Sequence, residues 1–195
     1  LKVIPGHFAT NHSHNNYYID LTTLKARQNE AQAAARLLAY YSNYSIVDTI
    51  VCLDGSEVIG AFLARHLAKK EVFSVNSNKN INVVTPEYDS NGQLIFRDNL
   101  TPMIVGREVL ILISTVNSGK SHRRTLECVQ YYGGKGQGIA AIFSMLEQVD
   151  GIPVYSLFSP DDIAGYISSS PKECPMCRAG QKIDALANSF GLSML

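Results

Sequence analysis

The sequence predicts an α/β domain: a mostly parallel twisted sheet flanked by helices, carrying a small hood or hairpin and a C-terminal helical tail. Three observations carry this. "VDTIVCL" (47–53), "EVLILI" (108–113), "GIAAIFSML" (138–146) and "IPVYSLF" (152–158) are near-continuous apolar runs, the mark of strands buried on both faces. Helix-like segments alternate with them. The glycine-bearing loops at 53–56 and 114–120 each follow a strand and precede a helix, so both belong at the carboxyl ends of strands, where such sheets bind ligands.

In chain order, residues 7–22 are polar and rich in Asn and His, ending in the apolar-aromatic run "YYIDL". Residues 23–42 read as one helix, with Leu24, Ala31, Ala35, Leu38 and Ala39 near helical spacing. "VDTIVCL" is a strand, and "DGSEVIGAFLARHLAKK" is a loop feeding a helix. "VFSV" (72–75) and "NVVT" (82–85) are short strands. In "EYDSNGQLIFRD" (87–98) the pair Asn91-Gly92 predicts a two-residue hairpin turn, both positions needing φ > 0. "EVLILI" is the strongest strand. "GKSHRRTLECVQYYGG" (119–134) is a helix with a glycine stop, and two further strands follow.

The chain has 195 residues, 46% hydrophobic and 17% charged, with 17 basic side chains balancing 17 acidic ones. That is a folded composition. It lacks the positive footprint of a non-specific nucleic-acid binder, so no nucleic-acid partner is expected. No apolar run reaches the ~18 residues a membrane helix needs, and no charged-then-apolar leader opens the sequence, so no membrane partner and no signal peptide are expected. Four cysteines are too few for a disulfide scaffold, and Cys52 and Cys128 fall in core segments. A reducing, cytoplasmic location is expected.

The loop "STVNSGKS" (114–121) carries the clearest chemistry. Small residues before a helix N-terminus let backbone N–H groups and the helix dipole meet a phosphate. A nucleotide-triphosphate P-loop would need glycine five residues before Gly119, where Ser114 stands. A plain turn and helix cap is a second reading. A third is that the segment resembles the phosphoribosyl-diphosphate (PRPP) motif of type I phosphoribosyltransferases: an apolar strand, two acidic residues and a small-residue phosphate loop.

More of the chain is similar to the orotate branch of that family. "GHF…HNNYYID" (6–20) looks like its N-terminal segment, with His14 and Tyr18 in register. "CLDGSEVIGAFLA" (52–64) looks like its diphosphate-loop strand and helix, and "IPVYSLFSPDDI" (152–163) like its last core strand. The resemblance implies residues 1–170 as a phosphoribosyltransferase-like domain and 171–195 as a Cys-x-x-Cys tail packed on it. It implies a 5′-phosphate cradle of Thr115, Val116, Asn117, Ser118, Gly119, Lys120 and Ser121, and a diphosphate loop of Asp54, Gly55 and Ser56. It implies a glycosyltransferase of nucleotide metabolism that binds a phosphoribosyl ligand as a homodimer, with Mg²⁺ as the cofactor a diphosphate would bring.

Two departures weigh against ordinary transfer. The family's acidic pair, which holds the ribose hydroxyls, falls on Ile113 and Ser114. Its basic mobile lid is replaced by the polar stretch 76–100, where Lys79 is the only lysine and Arg97 lies well downstream. No catalytic base is assigned. The alternative function is a non-catalytic nucleotide- or phosphosugar-binding regulatory protein that has lost the ribose clamp.

"CPMC" (174–177) is a single Cys-x-x-Cys. Zinc wants four ligands, and no second Cys pair or nearby His follows in sequence. No zinc at Cys174 and Cys177 is therefore expected. A reduced turn pinning a C-terminal helix is preferred over a redox pair. His7, His12 and His14 are read with the N-terminal segment, reaching over a nucleobase pocket or a subunit contact.

Overall fold

The structure, a computed structural model, describes residues 1–42, 45–69, 75–117, 120–188 and 191–195; of Ser42, Lys120 and Ser121 only the backbone is described. In chain order the elements are β1 (Lys2–Ala9), β2 (His14–Asp20), α1 (Thr22–Ala26), α2 (Gln28–Ser42), β3 (Thr49–Cys52), α3 (Glu57–Leu67) and β4 (Asn82–Val84). Then come β5 (Glu87–Tyr88), β6 (Leu94–Ile95), β7 (Glu108–Val116), α4 (Lys120–Tyr131), β8 (Lys135–Ser144), β9 (Gln148–Val149) and β10 (Ile152–Phe158). The last are β11 (Ser168–Ser169), α5 (Pro175–Arg178), β12 (Ala185–Asn188) and β13 (Gly191–Met194). Among the described residues no helix is long and apolar enough to cross a membrane.

The central sheet has the order β4-β3-β7-β8-β10-β9. Neighbours from β4 through β10 are parallel, and β9 alone runs antiparallel at the edge. The strands read as continuous apolar runs because both faces are covered. Period-two alternation separates the faces. Leu110 and Leu112 of β7, with Ala140 and Ile142 of β8, pack with Ala35 and Leu38 of α2 and Ile59 and Leu63 of α3. Ile111, Ile113, Ile139 and Ala141 turn to the opposite face, against Leu126 of α4.

Gly60 shows how closely α3 lies on the sheet. A Cβ there would collide with the Cys52 sulfur of β3 and press on Val83 at 3.2 Å. Gly60→Ala is therefore expected to lower stability by about 1–3 kcal/mol through overpacking, outweighing the roughly 1 kcal/mol that alanine gains in a helix. Cys52→Ala in the same chain should restore most of the loss. Urea unfolding of the single and double variants checks this; a neutral Gly60→Ala would contradict the close approach.

A second sheet, β11-β2-β1-β12-β13, forms a hood. It is built from the first twenty residues and the C-terminal tail. The helical tail expected from the sequence is corrected here: α5 lasts one turn, Gly180 turns left-handed (φ +72°), and β12–β13 is a hairpin. β12 lies parallel to β1, pairing Phe8 with Ala185. Asp184 anchors the tail by accepting the His7 N–H at 2.7 Å and donating its own N–H to the His7 carbonyl at 2.8 Å.

Two smaller expectations change, and a third lies largely outside the described residues. The single helix over 23–42 is two, parted at Arg27, whose ψ of 125° is extended. The hairpin at 87–98 is present, but Asn91 is absent from the left-handed residues while Gly92 adopts φ +74°. The Gly92 N–H meets the Asp89 carbonyl and the Asp89 N–H meets the Gln93 carbonyl, so the loop has three residues with glycine at the bulge position. "VFSV" falls largely outside the described residues; Val75 lies in a turn.

Candidate functional site

The carboxyl ends of β3 and β7 open into a cleft of about 320 Å³ that the hood roofs. From the core sheet it is lined by Leu53 and Asp54 after β3, and by Ile113, Ser114, Thr115 and Asn117 at the end of β7. His122 and Thr125 of α4 form one wall. The hood contributes Phe8, His12, Asn15, Tyr17 and Tyr18, and Tyr88 and Tyr166 close the sides. Asn16 holds the Tyr166 segment in place: its amide donates to the Gly165 carbonyl and accepts the Ile167 N–H, both at 2.7 Å.

Three buried polar atoms in this cleft have no hydrogen-bond partner among the described residues: Asn15 Oδ1, Ser114 Oγ and Asn117 Oδ1. Buried polar groups are nearly always paired in folded proteins. Three such atoms converging on one cavity mark it as a place where a polar molecule supplies the missing bonds.

Asp54 and Gly55 both adopt left-handed backbone (φ 58° and 73°), turning the chain sharply from β3 into α3. Left-handed geometry is costly for a residue with a side chain, though Asp tolerates it better than most. The Lys25 ammonium of α1 donates to the Asp54 carbonyl at 2.9 Å. Burial pushes Lys25 below its usual range, against the pull of Asp54, Glu57 and Asp20. Burial also pushes up the Tyr88 hydroxyl, with the Asp54 carboxylate adding to it.

No protein-family model matches the chain. A sequence relative is the orotate phosphoribosyltransferase of Chlorobium phaeobacteroides, 22% identical over 187 residues, covering 94% of this chain and 88% of that protein. Among solved structures, a phosphoribosyltransferase from Corynebacterium diphtheriae superposes with a TM-score of 0.59 at 14% identity, over 82% of this chain and 89% of that one. Mycobacterium tuberculosis orotate phosphoribosyltransferase, solved with PRPP, gives 0.56 at 15% identity over 74% and 82%. The chain has the type I phosphoribosyltransferase fold.

Within this phosphoribosyltransferase fold the sequence-predicted residues fall as follows. Thr115 and Asn117 line the cleft, and Val116 is buried beneath it in the core. Ser118 and Gly119 lie outside the described residues, and Lys120 and Ser121 are described only as the backbone that starts α4. Of the diphosphate loop, Asp54 lines the cleft. Ser56 is buried and donates its hydroxyl to the Leu112 carbonyl at 3.2 Å, so it secures the loop to β7 instead of facing a ligand. Ile113 belongs to a core cluster and also lines the cleft.

The two cations of the 76–100 stretch are engaged elsewhere. Lys79 pairs with Asp48 at 2.8 Å, ahead of β3 at the opposite end of the sheet, and Arg97 pairs with Glu87 at 2.7 Å in the hairpin. Lys25 is the only lysine or arginine lining the cleft among the described residues. Sequence reasoning missed it. Its neighbours follow helical periodicity, and nothing local shows that α1 ends against the Asp54 loop.

The histidines divide. His12 lines the cleft, whereas His7 and His14 face the other side of the hood sheet, beside Cys174 and Cys177. The remaining two cysteines are shielded: burial pushes the Cys52 thiol up to about 12 and Cys128 up to about 11.

Proposed function

We propose that the cleft binds a phosphoribosyl ligand, PRPP or a nucleoside monophosphate. Its 5′-phosphate would sit at residues 115–121, from the end of β7 to the start of α4. The observation that carries this is the pair of unpartnered buried atoms flanking Thr115: Ser114 Oγ, which can donate to a phosphate or ribose oxygen, and Asn117 Oδ1, which can accept from a ribose hydroxyl. Backbone N–H groups at a helix N-terminus favour a phosphate, and the hydroxyl of Thr115 adds a donor. The orotate phosphoribosyltransferase of the same fold solved with PRPP supports a phosphoribosyl ligand. Asn15, Tyr17 and Tyr18 of the hood would then meet the ribose and base.

Transfer of the phosphoribosyl group to a nucleobase is the second reading, favoured by Lys25 beside Asp54. A departing diphosphate needs positive charge as the anomeric bond breaks, and Lys25 stands where the diphosphate would lie. Asp54 is the one carboxylate lining the cleft among the described residues. Mg²⁺ asks for about six oxygens, so the site fits it only as an ion carried on the ligand's diphosphate, with Asp54 facing it. The proposal includes a homodimer, as the resemblance implies, and a cytoplasmic location, as the cysteine usage implies; light scattering on the eluted peak checks the dimer.

Calorimetric titration with PRPP, with and without Mg²⁺, and with ribose 5-phosphate and nucleoside monophosphates tests the proposal. Binding of any of these at the cleft supports it, and Mg²⁺-dependent preference for PRPP favours the transferase reading. Failure of every ligand overturns it. Ser114→Ala provides a sharper check. Because its hydroxyl has no partner in the unliganded protein, the change should leave unfolding stability unchanged or slightly raised. Ligand affinity should fall about 3- to 10-fold, the worth of one hydrogen bond.

A further inference from the structure

We propose that His7, His14, Cys174 and Cys177 bind a zinc ion that pins the hood to the C-terminal tail. The four donor atoms lie within 4.8 Å of one another. Zinc takes nitrogen at about 2.0–2.1 Å and sulfur at about 2.3 Å in a tetrahedron, which sets ligand edges of about 3.3 Å for N–N and about 3.5 Å for N–S. His7 Nε2 lies 3.0 Å from His14 Nδ1. Cys174 Sγ is 3.5 Å and Cys177 Sγ 3.6 Å from His7 Nε2, and Cys177 Sγ is 3.3 Å from His14 Nδ1. Every one of these edges lies within a few tenths of an ångström of the zinc tetrahedron.

The surroundings prepare the donors. His7 Nδ1 lies 3.0 Å from the Gln181 carbonyl and 3.2 Å from that of Lys182. A carbonyl only accepts, so Nδ1 carries the hydrogen and Nε2 turns its lone pair inward, the outer-shell arrangement of a metal-bound histidine. Pro175 opens the single turn of α5, and the Cys177 N–H donates to Cys174 Sγ at 3.5 Å. That turn brings both sulfurs to one side and supports negative charge on Cys174.

Charge and burial agree. Two neutral imidazoles and two thiolates around Zn²⁺ sum to zero, which suits His7 and Cys174, both 0% exposed. Binding forms four coordinate bonds and releases the two thiol protons to solvent. An all-nitrogen-and-sulfur set with no open position is that of a structural zinc site, not a magnesium or catalytic one. The two pairs of ligands are more than 150 residues apart in sequence, so the ion would join the β1–β2 hairpin to the tail. Phe8 and Asn15, paired across the same two strands, face the cleft from the other side of the hood. The ion would thus set the roof of the cleft from behind, whatever the cleft binds.

The test uses the full chain, expressed with zinc supplementation and purified without chelators. The wild type should carry one zinc per chain by elemental mass spectrometry, and after exchange for Co²⁺ should show the visible bands of a tetrahedral thiolate site. Cys177→Ser is the informative variant because Cys177 lies at the surface. It should lose metal affinity by at least about tenfold, and chelation of the wild type should raise hydrogen exchange across β1 and β2. Cys128→Ser should keep the metal. A wild type that holds neither zinc nor Co²⁺, a Cys174–Cys177 disulfide under reducing conditions, or full zinc occupancy in Cys177→Ser would overturn the proposal.

Discussion

Lys25→Ala is expected to weaken PRPP binding about 10- to 100-fold while leaving ribose 5-phosphate within about twofold, since a hydrogen bond to a charged group contributes about 1.5–3 kcal/mol. Lys25 lines the cleft, and its ammonium sits on the Asp54 carbonyl, beside the place the proposal gives the diphosphate. Burial already pushes its pKa down, so an anion arriving there would offset a desolvation cost that the unliganded protein carries. Calorimetry with both ligands separates the diphosphate end of the site from the phosphate loop. An equal fall for both would remove Lys25 from the diphosphate role, and no fall for PRPP would remove it from the site.

Phe143→Ala is expected to cost about 3–5 kcal/mol of unfolding free energy, the range for emptying a buried aromatic site. Phe143 is fully buried near the end of β8. It sits opposite Thr115 in the β7–β8 register and meets the Tyr166 ring edge-on at 5.2 Å. The same cavity would therefore loosen both the strand end that carries the phosphate loop and a side wall of the cleft, and ligand affinity should fall with stability. Urea unfolding measures the first effect. A loss below about 1 kcal/mol would mean that the site collapses around the vacancy and that Thr115 does not depend on this packing.

The central sheet was legible because its signal is local and strong: β7 and β8 need apolar residues on both faces, and "EVLILI" and "GIAAIFSML" supply them. The carboxyl ends of β3 and β7, and so the places of Asp54 and Thr115, followed from strand-then-loop order alone. The C-terminal tail was misread for a physical reason. "IDALANSF" has helix-forming residues, but pairing with β1 and the two Asp184 bonds to His7 prevail over local propensity. Asn91-Gly92 gave the hairpin but not its loop length, because Asp89 Oδ1 accepts the N–H groups of both Asn91 and Gln93 at 2.8 Å and favours a wider turn. Ser56 was placed at the ligand by its position in a motif, and only the fold shows its hydroxyl committed to Leu112.

The gathering of His7 and His14 with Cys174 and Cys177 had no local signature at all. "CPMC" alone supplies half of a ligand set, and the other half arrives only when the first and last strands of the chain enter one sheet. Ile113 carries a related lesson. At the carboxylate position that the resemblance implies stands Ile113, which packs with Leu53 and Ile111 and also lines the cleft.

The measurement that tests the central claim most directly is a crystal structure of the protein soaked with a nucleoside monophosphate. The account predicts the phosphate at residues 115–121, from the end of β7 to the start of α4, within hydrogen-bond distance of Thr115, with Ser114 Oγ and Asn117 Oδ1 newly paired and the base beneath Tyr17 and Tyr18. A ligand lodged elsewhere, such as the groove between α4 and the 87–98 hairpin, with the Ser114 and Asn117 atoms still unpaired, would contradict it.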